Sequence, residues 1–75
     1  MSVTLIPVGG LKEFVGDREQ VEMDSGPTVE ELLERAGIEG ALVAAVIDEE
    51  DELVTLDYRP QDGERLKLIA VMGGG

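Results

Sequence analysis

The sequence predicts an α+β domain in which one main helix packs across a mixed sheet of four to five strands. Residues 2–8 and 66–71, near opposite ends of the chain, are rich in apolar residues on both faces, which is typical of central strands. Neighbouring central strands from opposite ends of a chain run parallel, so the connection between them must be a long crossover. One amphipathic helix, at about residues 28–36, forms part of that crossover.

Two strands with a short helical turn between them are predicted before the main helix. The first strand runs from Ser2 to Val8. Leu11 to Val15 can then make a helical turn, with Leu11 and Phe14 facing inward. The second strand, Arg18 to Met23, alternates apolar and polar residues, so we expect it to be half-buried and to pair with the first.

The clearest helix begins after Thr28. Thr28 and Glu31 have the spacing of a capping box, in which each side chain accepts a hydrogen bond from an unpaired backbone N–H at the helix start. Apolar residues recur with helical spacing and define one face: Val29, Leu32, Leu33 and Ala36. Gly37 stands where a left-handed residue would end the helix.

Two or three strands are predicted after the helix. Residues 41–47 are a continuous apolar run and form the third strand. Residues 48–52 are five consecutive acids, which form a solvated turn rather than a calcium loop, because the glycine and later glutamate of an EF-hand are missing. Residues 53–56 form a short fourth strand, and residues 61–63 form a turn before the last strand at 66–71.

The composition argues against catalysis by this chain alone. Its 75 residues are enough for one small domain, and one Phe and one Tyr leave the core to aliphatic residues. Cysteine and histidine are absent, which removes disulfides, thiolate nucleophiles, imidazole acid–base chemistry and the common zinc sites. We therefore expect a protein that is not an enzyme and that binds neither a metal nor a cofactor.

The net charge of −11, from 17 acids and 6 bases, bears on possible partners. Nucleic acid is disfavoured, because binding it depends on lysine and arginine neutralising phosphates. Two interpretations of the acidic surface stay open: attraction of a basic protein partner, or solubility and adaptation to a salty cytoplasm. No segment has membrane-spanning length and no signal-peptide pattern is present, so we expect a cytoplasmic protein without a membrane partner.

The glycine-rich ending carries the strongest functional signal. We expect residues 1–71 to form the domain and residues 72–75, which include Gly73, Gly74 and Gly75, to form a flexible tail. An extended tail of this length reaches about 13–14 Å, enough for its carboxylate to enter a narrow site in another protein. A carboxylate is a poor electrophile, so acyl chemistry at Gly75 requires activation, most simply adenylation with ATP by a partner enzyme. The alternative is a frayed end without a function.

The chain resembles the ThiS/MoaD family of ubiquitin-like sulfur carriers, which have a β-grasp fold. The resemblance lies in the element order, in the Thr-x-x-Glu-Leu-Leu helix, and in the turn Gln61 to Glu64 followed by the ending Val71 to Gly75. Residues 11–16 look closer to the molybdopterin-synthase small subunits than to the shorter thiamine carriers. Glu64 stands where the family more often has aspartate, and the proline pair often seen before the tail of molybdopterin-synthase subunits is missing.

This resemblance implies a function for Gly74 and Gly75, which match the family's terminal diglycine. An adenylyltransferase of the ubiquitin-activating type would adenylate Gly75 with ATP, and sulfur transfer would convert the carboxylate to a thiocarboxylate. The sulfur would reach a precursor of molybdopterin, thiamine or a related product through an accepting enzyme such as molybdopterin-synthase large subunit or thiazole synthase.

A docking surface for these partners is expected on the outward side of the first and last strands, unless other parts of the chain cover it. The predicted partner-binding residues are Ile6, Lys67, Ile69, Val71 and Met72.

Two other functions stay open. The chain could be a protein modifier that is joined through Gly75 to lysines of target proteins, which differs from a sulfur carrier only in the final nucleophile. It could also be a non-catalytic β-grasp interaction domain with an inert tail.

Overall fold

The computed structural model describes residues 1–71, so the predicted tail at 72–75 lies outside the described residues. The strands are β1 (Ser2–Pro7), β2 (Val21–Asp24), β3 (Val43–Ile47) and β4 (Arg65–Ala70), and the α-helix is α1 (Val29–Ala36). Short 3-10 helices span Gly9–Val15 and Gly40–Leu42. The strands form one sheet in the order β2-β1-β4-β3, with α1 packed across one face. This confirms the predicted α+β architecture.

The two central strands are β1 and β4, which run parallel as predicted. Leu5 lies opposite Leu66 and Pro7 lies opposite Leu68, and all four side chains are buried. Pro7 ends its strand, where the missing N–H removes no ladder hydrogen bond. The edge strands β2 and β3 each pair antiparallel with the neighbouring central strand.

The core is aliphatic, as the composition predicted. Its buried hydrophobic residues are Val3, Leu5, Leu11, Val29, Leu32, Leu33, Ile38, Val46, Leu66 and Leu68. Leu11 faces inward as predicted, but the prediction for Phe14 is wrong. The Phe14 ring lies at the rim with 38% of its surface exposed, while the smaller Val15 packs against the core.

Two strands begin two or more residues later than predicted. Strand β2 begins at Val21 rather than at Arg18, because Gly16 and Asp17 adopt left-handed conformations with φ of 67° and 61° and the chain straightens only after them. Strand β3 begins at Val43 rather than at residue 41, since the apolar run starts in a 3-10 helix.

Residues 53–56 do not form the predicted fourth strand. Leu53 makes an isolated bridge to Ile47, and within the described chain no ladder of strand pairing continues from it. The carbonyls of Leu56 and Tyr58 instead accept hydrogen bonds of 3.0 and 2.9 Å from the first two N–H groups of α1. The opening N–H groups of a helix have no partner inside the helix, so this segment supplies their acceptors rather than extending the sheet.

The predicted capping box is present at the same end of α1, its N-terminus. Thr28 Oγ1 accepts a hydrogen bond of 3.2 Å from Glu31 N–H, and Glu31 Oε1 accepts one of 2.9 Å from Thr28 N–H. The donation from Thr28 N–H, and then from its hydroxyl, lowers the pKa of Glu31 below its ordinary value of 4.5. Gly37 ends α1 in the left-handed region with φ of 79°, where a side chain would be strained. None of the described helices is long and apolar enough to cross a membrane.

Removing the cap should destabilise the domain measurably. We expect Thr28→Ala to lower the free energy of unfolding by about 1 kcal/mol, because Glu31 N–H loses its acceptor. Thr28→Ser keeps the hydroxyl and should cost much less. Equilibrium denaturation by urea checks both variants. Equal losses for alanine and serine would contradict the role of the hydroxyl.

Candidate functional site

The face of the sheet opposite α1 brings together those predicted partner-binding residues that the structure describes. We call it the outer face. Side chains from all four strands alternate onto it: Ser2, Thr4, Ile6, Glu22, Asp24, Ala45, Ile47, Arg65, Lys67 and Ile69. Their neighbours in sequence point to the helix side and fill the core, which confirms the predicted orientation of β4.

The apolar part of the outer face lies around Lys67. Ile6 of β1 is opposite Lys67, and Ile47 of β3 is opposite it on the other side. Ile69, the next outward residue of β4, is opposite Ala45. The isoleucines are half-buried by their neighbours in the sheet, whereas Lys67 is exposed. Within residues 1–71, therefore, no other segment covers the lysine at the centre of this face.

Val71 extends the apolar surface toward the glycine ending. Its N–H donates a hydrogen bond of 2.9 Å to Leu42 C=O, so the backbone direction of β4 continues one residue past the strand. Val71 has 49% of its surface exposed. The structure thus brings together Ile6, Lys67, Ile69 and Val71. The remaining predicted site residues, Met72, Gly73, Gly74 and Gly75, lie outside the described residues.

Charge is unevenly distributed over the outer face. Arg65 and Lys67 lie in its centre, beside a shallow cavity of about 300 Å³. Acidic residues of the turn after β3 line the same cavity: Asp48, Glu49 and Asp51. Glu49 Oε1 also accepts a hydrogen bond of 3.0 Å from Arg65 N–H, which fastens the acidic turn to the start of β4. A basic centre is therefore bordered by carboxylates on the β3 side.

The predicted acidic turn is internally organised by Asp48. Asp48 Oδ1 accepts hydrogen bonds of 2.8 and 3.0 Å from the N–H groups of Glu50 and Glu52. Asp51 takes a left-handed conformation with φ of 62°, which closes the turn. The solvated turn predicted at residues 48–52 is thus confirmed in its position and form.

Sequence reasoning missed three residues that adjoin Lys67 and Ile69 on this face. Arg65, Ala45 and Ile47 stand beside the predicted residues, yet nothing in the chain order pairs them. The apolar run at 41–47 was a signal that both faces of β3 carry apolar side chains. Its phase was not predictable, because a register shift between Val43 and Ala45 changes which alanine points outward.

The loop before β4 fixes the start of that strand against β1. Glu64 Oε1 accepts hydrogen bonds from Tyr58 Oη at 2.6 Å and from Gln61 N–H at 2.7 Å. Glu64 C=O accepts a bond of 2.9 Å from Thr4 N–H. Gly63 has φ of 88°, as predicted for this turn, and its N–H donates to Ser2 C=O at 2.7 Å. One glutamate therefore connects the loop, β4 and β1.

Tyr58 should report on this connection through its ionisation. The hydrogen bond to Glu64, followed by burial, raises the pKa of Tyr58 from 10.0 to about 12. Since the folded protein holds the phenol proton more tightly, this contribution to stability is complete below pH 10.0 and is lost as the pH rises through about 12. Tyr58 is the single tyrosine, so tyrosinate absorbance measures it directly.

We expect the absorbance midpoint near pH 12 in the native protein and closer to 10.0 in Glu64→Gln, which lacks the negative charge. The urea-unfolded chain supplies the reference value. An unchanged midpoint in the variant would mean that Glu64 does not cause the shift.

Comparison with solved structures identifies the fold class. The chain has the ubiquitin-like β-grasp fold, with TM-scores of 0.75 to SAMP1 from Haloferax volcanii and 0.71 to Urm1 from Trypanosoma brucei. Sequence identity is 21% to the first, over 100% of both chains, and 14% to the second, over 99% of this chain and 95% of that one. A subunit in the complex of subunits 1 and 2 of molybdopterin-converting factor from Helicobacter pylori has a TM-score of 0.61 and 23% identity, with both chains fully covered.

The sequence identifies the family. The profile of the ThiS family matches residues 8–75, which is nearly the whole chain and includes the glycine ending. The protein belongs to the ThiS family. Curated protein sequences gave no match of comparable significance.

Proposed function

We propose that this protein is a sulfur carrier whose Gly75 carboxylate is activated by a partner enzyme and converted to a thiocarboxylate. The observation that carries the proposal is the ThiS family match, which runs through the glycine ending. In support, β4 is hydrogen-bonded to β1 on one side and to β3 on the other. These two strands fix the position of the backbone as far as residue 71. The ATP requirement fits a cytoplasmic setting.

The chemistry requires an adenylyl transfer to the Gly75 carboxylate, followed by an acyl transfer to sulfur. A Gly75 carboxylate oxygen attacks the α-phosphorus of ATP, which forms an acyl adenylate and releases pyrophosphate. A sulfide equivalent then attacks the acyl carbon, the carbon–oxygen bond to AMP breaks, and AMP leaves with the electron pair. The product is a thiocarboxylate with sulfur in place of one oxygen. Both steps need catalytic groups from a ubiquitin-activating-type adenylyltransferase, and in this proposal the chain contributes the acyl group and the surface that positions it.

The outer face is the proposed docking surface for that enzyme and for the sulfur acceptor. It carries Ile6 and Ile69 close to Val71, the exposed residue from which the tail continues. An apolar surface of this kind beside a reactive end lets a partner hold the folded domain while the glycines enter its active site. The proposed acceptors are enzymes such as molybdopterin-synthase large subunit or thiazole synthase. The Helicobacter pylori complex pairs a subunit of this fold with a second subunit.

Intact mass tests the carrier function. The full chain is incubated with ATP, a ubiquitin-activating-type adenylyltransferase and a sulfur donor. We expect a mass gain equal to the replacement of one oxygen by sulfur, located on Gly75 by fragmentation. A chain without Gly75 is the matched control and should show no gain.

Other outcomes of the same experiment separate the alternative functions. An isopeptide between Gly75 and a target lysine, found in cell extracts without any thiocarboxylate, would replace the carrier function with that of a protein modifier. If an activator that works on its own substrate forms neither an adenylate nor a thiocarboxylate, the carrier function is refuted and a non-catalytic interaction domain takes its place.

Shortening two apolar side chains of the outer face tests whether it is the docking surface. We expect the double variant Ile6→Ala and Ile69→Ala to lower kcat/KM for adenylation about tenfold, because each isoleucine contributes apolar contact to the enzyme. Leu56→Ala is the control, since this residue is 48% exposed but lies by the start of α1. A larger loss with Leu56→Ala than with the double variant would contradict docking through the outer face.

A further inference from the structure

A second surface lies on the helix side of the sheet, between edge strand β2 and the last turn of α1. We call it the β2–α1 groove. It is a cavity of about 340 Å³, at the lower end of the size of ligand pockets. Apolar side chains and two arginines line it: Val15, Val21, Met23, Ala36, Arg18 and Arg35. Val15, Met23 and Ala36 pack against the core but are only partly buried.

The edge of β2 beside this groove offers backbone hydrogen bonds. Ser25 N–H donates to Met1 C=O, and in an antiparallel pair every second residue directs its backbone groups to the same neighbour. Val21 and Met23 therefore bond to β1, as Ser25 does. The backbone groups of Glu22 and Asp24 therefore point away from β1. Within residues 1–71, no strand lies on that side of β2. An added strand would find both donors and acceptors there.

The charge of its lining distinguishes this groove from the outer face. Among the described residues, two arginines and no carboxylate line the groove, whereas carboxylates border the basic centre of the outer face. The chain has 6 basic residues among 17 acids, and two of the six, Arg18 and Arg35, line the groove. Both side chains are exposed, and in the described chain neither takes part in a salt bridge or a side-chain hydrogen bond, whereas Lys12 pairs with Glu19 at 3.2 Å. Two arginines beside an apolar cavity suit a ligand in which carboxylates flank apolar side chains.

We propose that the β2–α1 groove binds an extended acidic peptide segment of a partner protein, which adds to β2 as a fifth strand. Alternate side chains of the segment enter the groove because successive residues of a strand point to opposite faces. Small apolar residues fit against Val15 and Met23, and a flanking carboxylate reaches Arg18 or Arg35. The proposal goes beyond the carrier function and does not depend on it, since the groove and the outer face lie on opposite sides of the sheet.

The net charge of −11 repels an acidic peptide at long range. The test must therefore distinguish the effect of the overall charge from that of the two arginines. Fields of exposed charges are screened beyond about 8 Å at physiological ionic strength. Under those conditions, local arginines and not the overall charge should decide which peptide binds. If overall charge decides, a basic peptide will bind more tightly than an acidic one.

The experiment is an NMR titration of the full-length ¹⁵N-labelled protein at physiological ionic strength. The probe is the blocked peptide Glu-Thr-Val-Thr-Val-Thr-Glu, whose valines and glutamates share one strand face. The matched peptides carry lysine at both ends or proline at the centre. We expect the largest amide shifts at Glu22 and Asp24, about fivefold tighter binding of the glutamate peptide than of the lysine peptide, and no binding of the proline peptide.

Arginine variants identify the charges responsible. Arg18→Ala with Arg35→Ala should weaken binding of the glutamate peptide about three- to tenfold, which lies within the range for two solvent-exposed ion pairs. Arg65→Ala removes an exposed arginine from the outer face, on the opposite side of the sheet, and should leave the affinity for the glutamate peptide unchanged. Circular dichroism confirms that each variant folds.

Results of three kinds would overturn the proposal. One is the absence of saturable binding below about 1 mM glutamate peptide, which corresponds to only about 4 kcal/mol of binding free energy. Another is tighter binding of the lysine peptide, or shifts centred on the outer face. The third is a change of the Glu22 and Asp24 amides with protein concentration alone, which would assign the β2 edge to a second copy of this chain.

Discussion

The parallel pairing of β1 and β4 is the constraint on which the rest of the molecule depends. Strands from opposite ends of the chain lie side by side, and Leu5, Pro7, Leu66 and Leu68 bury their inward faces together. Parallel neighbours need a long crossover, so α1 must pass over one face of the sheet and cannot lie beside it. The same pairing leaves β2 and β3 at the edges and separates a helix-covered face from an outer face.

This arrangement explains how a small chain can fix the course of its backbone as far as residue 71. Strand β4 is bonded to β1 and β3, and the loop before it is tied to β1 through Glu64 and Gly63. The backbone therefore arrives at Val71 along a fixed path, with Ile6 and Ile69 on the surface beside it. In the proposed function, a partner that recognises the outer face would therefore meet residue 71 at a defined position.

The distribution of charge differs between the two proposed binding surfaces. Arg65 and Lys67 form a basic centre on the outer face, but carboxylates of the turn after β3 border it. In the β2–α1 groove, Arg18 and Arg35 stand next to apolar side chains, and Glu19, the acid that follows Arg18, pairs with Lys12. Because the surfaces lie on opposite sides of the sheet, one partner does not exclude the other. An acidic protein can in this way present a local site for another acidic chain.

The sequence by itself determined the elements whose signals are local. The capping box at Thr28, the left-handed ending at Gly37, the turn at Gly63 and the aliphatic core follow from residue types and spacing, and all are present. The apolar faces of β1 and β4 also predicted their central, parallel pairing. With that pairing, alternation along β4 placed Lys67 and Ile69 on the outer face.

Only the tertiary structure decided the features that depend on competition between distant groups. Residues 53–56 have the composition of a strand, yet the unpaired N–H groups at the start of α1 take the carbonyl of Leu56 and end the pairing with β3. The register shift in β3 set which of its residues join the outer face. The convergence of Arg18 and Arg35 depends on how α1 crosses the sheet. Local sequence does not encode such outcomes, because each depends on which partner the folded chain brings within hydrogen-bonding or packing distance.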